Sequence, residues 1–249
     1  MIPVWPSDPP KWNALRELLK DEIDSLDDDR EKIRLLLEVV AIYRDHLKLD
    51  AMVLNTYNAI LALQPDHTEA IEALTAKYES LGRWNELIAI LQRRQQIADT
   101  DDKVEILHRI ADLWIDKFGN QSQAIRPLEE ALEANPSDGR ALTRLREIYT
   151  RRRNWRGLLD LLGRDANNRE GMQRREIFRE MAQIATEKMS DPVEGIQVWN
   201  RVLVDDVNDS EALEQLTVLY RKEARWAALA EVLHRRLAIL EGGEREEPG

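Results

Sequence analysis

Apolar residues recur along the chain every three or four positions, which is the spacing of one buried face on an α-helix. In the first such stretch, over about residues 11–25, the apolar side chains that share a face are Trp12, Leu15, Leu18, Leu19 and Ile23. No segment alternates apolar and polar residues with the period of two that a half-buried strand requires. The pattern therefore predicts an all-α chain of about thirteen helices.

Short polar joints separate these helices. In the middle of the chain the predicted helices run over about 102–118, 121–134, 137–151 and 154–166. Gly119-Asn120 favours a left-handed helix ending, and Pro136 disfavours helical geometry in the residue before it. Ser137 is the predicted N-cap of the next helix, as are Asp66 and Asn208 at the corresponding joints. Connections this short predict antiparallel neighbours.

The whole pattern repeats with a step of 71 residues. The stretch Tyr149–Trp155 (YTRRRNW) has counterparts at Tyr78–Trp84 and Tyr220–Trp226. The same step relates Pro65 to Pro136 and Val207, Ala70 to Ala141 and Ala212, Leu74 to Leu145 and Leu216, Leu87 to Leu158 and Leu229, and Leu91 to Leu162 and Leu233. A fixed step on this scale indicates a repeat architecture. The predicted repeat core is Trp12, Trp84, Trp155, Trp226, Tyr78, Tyr149 and Tyr220.

Composition narrows the class of protein. The hydrophobic fraction of 43% is enough for a continuous core, and only 10 glycines and 9 prolines interrupt the helices. The chain has no cysteine, so disulfides and thiol chemistry are excluded and a cytoplasmic location is favoured. No apolar run approaches the ~18 residues of a membrane span, so no membrane insertion is expected.

The net charge of −11 argues against nucleic acid as a partner, because phosphate binding normally needs a dominant basic face. Arginines are nevertheless concentrated in the middle third of the chain. They form either a solvated, salt-bridged surface or a docking site for an acidic partner. The predicted partner-binding residues are Arg109, Arg140, Arg144, Glu147, Arg151 and Arg152.

No residue pattern indicates catalysis. The four histidines, His46, His67, His108 and His234, lack a second ligand at metal-binding spacing. The chain has no nucleophile elbow, phosphate-binding glycine loop or H-E-x-x-H motif. Paired acids such as Asp101-Asp102 fall at helix ends, where they complement the helix dipole. The prediction is a protein that is not an enzyme and uses no cofactor or metal.

The repeats resemble the tetratricopeptide repeat family, whose helix-turn-helix unit is about 34 residues long, so that two units nearly fill the 71-residue step. The family's first-helix pattern is partly matched by Ile71, Leu74, Thr75 and Tyr78, and its second-helix pattern by Ala124, Leu128, Ala131 and Pro136. The resemblance implies a right-handed superhelical α-solenoid of about six antiparallel helix pairs plus an unpaired N-terminal helix. It also implies peptide binding on the concave face, although the lysine and asparagine pattern of a carboxylate clamp is absent.

The resulting layout has three parts. Residues 1–10 are expected to form an extended leader that folds back over the first helix through Trp5, the alternative being a disordered leader. Residues 11–241 are expected to form the solenoid, and residues 242–249 a disordered tail. The last helix, predicted at 225–241, keeps the apolar residues of an internal repeat, among them Leu233 and Leu240. A terminal repeat normally has a polar outer face. We therefore expect either further repeats beyond this helix or a homodimer formed through it.

The function that follows is a non-catalytic scaffold for protein–protein interaction, with a protein or peptide partner on the concave face or on the Arg-rich rim. The alternative is a structural or oligomerisation segment of a longer repeat protein, without a peptide ligand.

Overall fold

A computed structural model describes the backbone of residues 9–243 and the side chains of residues 11–240. Within that range the chain forms thirteen α-helices and no strand, which confirms the predicted all-α helical repeat class. From α1 to α13 the helices span Pro9–Ser25, Asp29–Ala41, Asp50–Leu63, Thr68–Ser80, Trp84–Ile97, Thr100–Asp116, Gln121–Ala134, Gly139–Arg151, Trp155–Asn167, Gly171–Gln183, Pro192–Asp205, Ser210–Lys222 and Trp226–Gly243. Two π-helical segments, Ile42–Leu47 and Ile184–Lys188, extend α2 and α10.

The helices fall into three modules related by the 71-residue step. Module 1 contains α2–α5, module 2 contains α6–α9 and module 3 contains α10–α13, and α1 precedes them. Equivalent helices of the three modules begin 71 residues apart, as the fourth helices do at Trp84, Trp155 and Trp226. This spacing confirms the predicted register.

The chain divides into two compact units, Met1–Ala124 and Ile125–Gly249, with the boundary inside α7. In the first unit each helix from α1 to α6 packs against the next one along the chain. In the second unit the same is true from α8 to α13. The sequence pattern, by comparison, predicts one array over 11–241.

The chain ends differ from the predicted layout where the structure describes them. Helix α1 begins at Pro9, two residues earlier than expected, because proline is well tolerated in the first turn of a helix. Helix α13 continues to Gly243. The predicted fold-back of Trp5 and the tail beyond residue 243 lie outside the described residues.

Left-handed backbone positions mark the joints and follow the 71-residue step. Gly119 has the predicted positive φ of 61°, and its equivalents Lys48 and Ser190 have φ values of 56° and 55°. A second set, Gly82, Arg153 and Ala224, has φ values of 66°, 54° and 53°. After Gly82 the N–H of Arg83 donates to the carbonyl of Tyr78 at 2.9 Å, which closes the helix in a Schellman-type turn.

The predicted N-caps of α4, α8 and α12 are wrong by one residue. The capping side chains belong to His67, Asp138 and Asp209 rather than to Asp66, Ser137 and Asn208. The reason is visible at two of the joints, where Ser137 and Asn208 instead donate their backbone N–H to the side chains of Asn135 and Asp206. These Asx turns place the cap one residue later.

Candidate protein-interaction surface

Four of the predicted partner-binding residues lie on one face of α8. Arg140, Arg144, Glu147 and Arg151 are spaced four, three and four residues apart, so they form a stripe along the helix. Three of them are exposed and Arg144 is half-buried. Arg152 follows as the exposed C-cap of the helix. We call Arg140, Arg144, Glu147, Arg151 and Arg152 the α8 surface.

Comparison with the other modules shows that a basic residue at the position of Arg140 is particular to α8. The position of Arg140 is occupied by Glu69 in α4 and Glu211 in α12. The position of Arg151 is occupied by Ser80 and Lys222. Since helices of the same length and register form with glutamate at the first position and with serine at the second, the fold requires arginine at neither.

Arg109 lies on α6 in the first compact unit, whereas α8 belongs to the second. Its guanidinium lies 2.7 Å from the carboxylate of Glu79 on α4. In the second unit a different pair joins the equivalent helices, between Arg146 of α8 and Glu180 of α10, which occupies the position of Arg109. The two partners are not equivalent in the repeat, since Thr150 holds the position of Glu79 and Thr75 that of Arg146. Arg109 therefore makes an ion pair within the chain that the sequence pattern does not predict.

A polar cleft that the sequence did not predict lies between α8, α9 and α10, and no residue of the α8 surface lines it. It has two adjoining parts of about 190 and 420 Å³, which share Arg146, Asp165 and Arg169. Arg169 donates to Asp165 at 3.0 Å, and Arg146 is paired with Glu180. The charges of the cleft are therefore largely matched within the chain.

The three repeat tyrosines are buried, and their hydroxyls contact equivalent residues. Asn58 and Asn200 each donate an amide N–H to the hydroxyl of Tyr78 and Tyr220, at 2.9 Å. In module 2 the equivalent residue is Glu129, and the Tyr149 hydroxyl donates to its carboxylate at 2.6 Å. Burial, and then this hydrogen bond to Glu129, raise the pKa of Tyr149 well above its ordinary value.

The repeat tryptophans differ in burial, and the prediction that Trp226 belongs to the core is wrong. Trp12 is buried, Trp84 and Trp155 are half-buried, and Trp226 is 63% exposed. The Trp84 ring is covered by the end of α6, where the Lys117 Nζ lies 4.9 Å from the ring centroid. Among the described residues no helix follows α13, so Trp226 lacks such a cover.

The described part of the chain contains no cluster of three metal-ligating side chains. None of the helices between residues 9 and 243 has the length and hydropathy needed to cross a membrane.

Comparison with known proteins gives one family match. Residues 212–247 match a family described as tetratricopeptide repeat, a segment that includes nearly all of α12 and α13. No curated protein sequence gives a significant match.

Solved structures give weak likenesses. A crystal structure of MamA protein is 13% identical over 75% of this chain and 98% of its own, with a TM-score of 0.38. A tetratricopeptide repeat protein from Parabacteroides merdae is 15% identical over 90% of this chain and 93% of its own, with a TM-score of 0.34. Identities and scores this low carry no argument about function. The family match at residues 212–247 shows a tetratricopeptide repeat in that segment and confirms there the resemblance predicted from the sequence.

Proposed function

We propose that the chain is a non-catalytic protein-interaction scaffold that binds an acidic segment of a partner protein on the α8 surface. The observation that carries the proposal is the inversion of charge at Arg140, which stands where α4 and α12 have glutamate. Proteins built from this repeat are in general interaction scaffolds. A cytoplasmic location is part of the proposal and rests on the absence of cysteine.

Electrostatics favours an acidic partner. Arg140 and Arg151 are exposed at opposite ends of α8, and arginine pairs with carboxylates through two parallel hydrogen bonds. The span from residue 140 to residue 151 is roughly 16 Å along the helix axis. A partner segment with carboxylates spaced over about five extended residues matches that length.

The test is a crosslinking pull-down from the native source with the full chain as bait. Arg140→Glu combined with Arg151→Glu reverses the charge of the surface without touching the apolar face of α8. We expect this variant to lose the partner and its crosslinks to α8. The matched control, Arg30→Glu with Arg221→Glu, reverses two exposed arginines elsewhere and should retain the partner. Equal capture by both variants would overturn the α8 surface as the binding site.

A second function, oligomerisation, is favoured by a separate observation on α13. Trp226, Leu233, Leu237 and Leu240 form a stripe along this helix and are 63%, 41%, 53% and 67% exposed. We infer that this stripe joins two copies of the chain in a homodimer, which sedimentation at increasing protein concentration tests.

A further inference from the structure

A groove of about 550 Å³ lies between α1, α2 and α3, in the first compact unit, and contains no residue of α8. Its floor includes Leu36 and Val39 of α2, and one wall is formed by the small side chains Ala59 and Ala62 of α3. Lys20, Lys32 and Arg16 also line it, together with one acid, Asp24. The groove therefore combines an apolar floor with a mainly basic rim.

In module 3 a side chain closes the equivalent groove. The equivalent of Ala59 is Arg201, whose guanidinium carbon lies 5.9 Å from the ring centroid of Phe178, the equivalent of Leu36. The long side chain of Arg201 thus covers the position that Ala59 leaves open.

The same comparison applies to the charged rim. The equivalent of Lys32 is Arg174, which donates to the carboxylate of Asp205 at 2.8 Å. In module 1 the place of Asp205 is taken by Leu63, which cannot accept a hydrogen bond from Lys32. Within the described residues neither Lys20 nor Lys32 makes an ion pair, whereas Arg16 is paired with Glu17.

Module 1 lacks the long side chain and the carboxylate that close the equivalent groove of module 3, and we expect the bound molecule to replace them. It must supply an apolar group against Leu36 and Ala59, and a carboxylate for Lys20 and Lys32. We propose that the groove binds a short peptide segment of a partner protein in which acidic and aliphatic side chains alternate. The stretch of α1 from residue 16 to residue 24 is roughly 12 Å long, enough for about four residues of extended peptide.

The experiment measures binding of two acetylated, amidated heptapeptides to the full chain by fluorescence anisotropy. One alternates glutamate with leucine and the other alternates lysine with leucine. We expect the glutamate peptide to bind more tightly by about tenfold or more. Ala59→Arg, which installs the residue of module 3, should weaken its binding by about tenfold or more. Lys32→Glu should reverse the preference between the two peptides.

Ala89→Arg is the matched control, because it adds the same side chain at an exposed alanine of α5 and should leave peptide binding unchanged. Equal binding of the glutamate peptide to wild type and Ala59→Arg would overturn the proposal, as would the absence of a preference between the peptides. A concentration-dependent dimer that Ala59→Arg abolishes would assign the groove to a second copy instead. Tighter peptide binding after removal of residues 244–249 would assign it to the acidic tail. None of these outcomes depends on the α8 surface, whose charge-reversed variant should bind the peptide normally.

Discussion

At the scale of single residues, the 71-residue step predicts left-handed backbone positions that the residue type alone does not predict. Glycine at position 119 predicts a left-handed conformation, but Lys48 and Ser190 adopt it without glycine. An ordinary side chain in this region costs about 1–2 kcal/mol, so residue propensity alone argues against it. Only the alignment of Lys48 and Ser190 with Gly119 identifies them.

Arg153→Gly and Ala224→Gly should each stabilise the chain by about 1 kcal/mol, because both residues are left-handed where module 1 has Gly82. Gly82→Ala should destabilise it by a similar amount. A Cβ at Gly82 would lie 3.6 Å from its nearest neighbour, the Trp84 ring. Gly82→Ala therefore introduces backbone strain without a steric clash. Urea unfolding of the three variants measures the effect. Destabilisation by both glycine substitutions would show that the arginine and alanine side chains contribute more than the backbone strain removes.

The Tyr149–Glu129 pair predicts a response to alkaline pH. A raised pKa in the folded state means that neutral Tyr149 contributes stability that is complete below the unfolded pKa, about 10, and is lost as pH rises above it. Glu129→Asn installs the residue of modules 1 and 3 and removes the carboxylate. The pKa of Tyr149 should fall but stay above its ordinary value, since burial remains the larger cause.

The titration is followed by tyrosinate absorbance, and Tyr149→Phe identifies the signal of this residue. An unchanged Tyr149 titration in Glu129→Asn would show that the carboxylate has no effect on it.

At the scale of helices, periodicity predicted the helices of module 2 to within two residues at each end, but not the two π-helical segments. The caps depended on local competition. Asn135 is part of the Asn-Pro-Ser joint that the sequence predicts, yet its side chain accepts the N–H of Ser137 and delays the helix start. Asp138 then caps α8 through the N–H groups of Arg140 and Ala141. When two adjacent residues can both cap a helix, N-cap propensity does not tell which of them will do so. A preceding Asx turn decides between them.

Helix α11 packs closely against the π-helical segment Ile184–Lys188, and Gly195 permits that approach. A Cβ at Gly195 would overlap the Cγ2 of Thr186, well inside van der Waals distance. Thr186 cannot rotate freely, because its hydroxyl donates to the carbonyl of Ala182 at 2.9 Å. Gly195→Ala should therefore cost about 1–3 kcal/mol through overpacking.

Thr186→Ser removes Cγ2 and keeps the hydroxyl, so it should rescue most of the stability lost in Gly195→Ala. Thermal and urea unfolding of the two single variants and the double variant form the required cycle. Gly139→Ala serves as the comparison, because a Cβ added there would have no atom within 4 Å and the substitution should be nearly neutral. If the effects of Gly195→Ala and Thr186→Ser simply add, the close contact is not the cause.

At the scale of the whole molecule, the repeat step predicted the class, the number of helices and the module register. It could not predict burial, which depends on the element that covers each face. Trp84, Trp155 and Trp226 hold equivalent places in the repeat, but Trp226 alone is largely exposed. The α1–α3 groove was missed for a related reason, since alanines at 59 and 62 are ordinary in a helix and open a groove only through what α1 and α2 place beside them.

The last prediction concerns the exposed apolar stripe of α13, formed by Trp226, Leu233, Leu237 and Leu240. Leu233 is 41% exposed, although its equivalents Leu91 and Leu162 are 0% and 2% exposed, because α6 packs on α5 and α10 packs on α9. Two copies that pair α13 with α13 would bury the same stripe on each, as a two-fold interface requires. We expect concentration-dependent dimerisation in sedimentation and light scattering, and its loss in Leu237→Glu with Leu240→Glu, two positions that are more than half exposed. Leu18→Glu on α1, which is equally exposed at 66%, should leave the dimer intact. A monomer at every accessible concentration, or a dimer that survives the α13 substitutions, would rule out this interface.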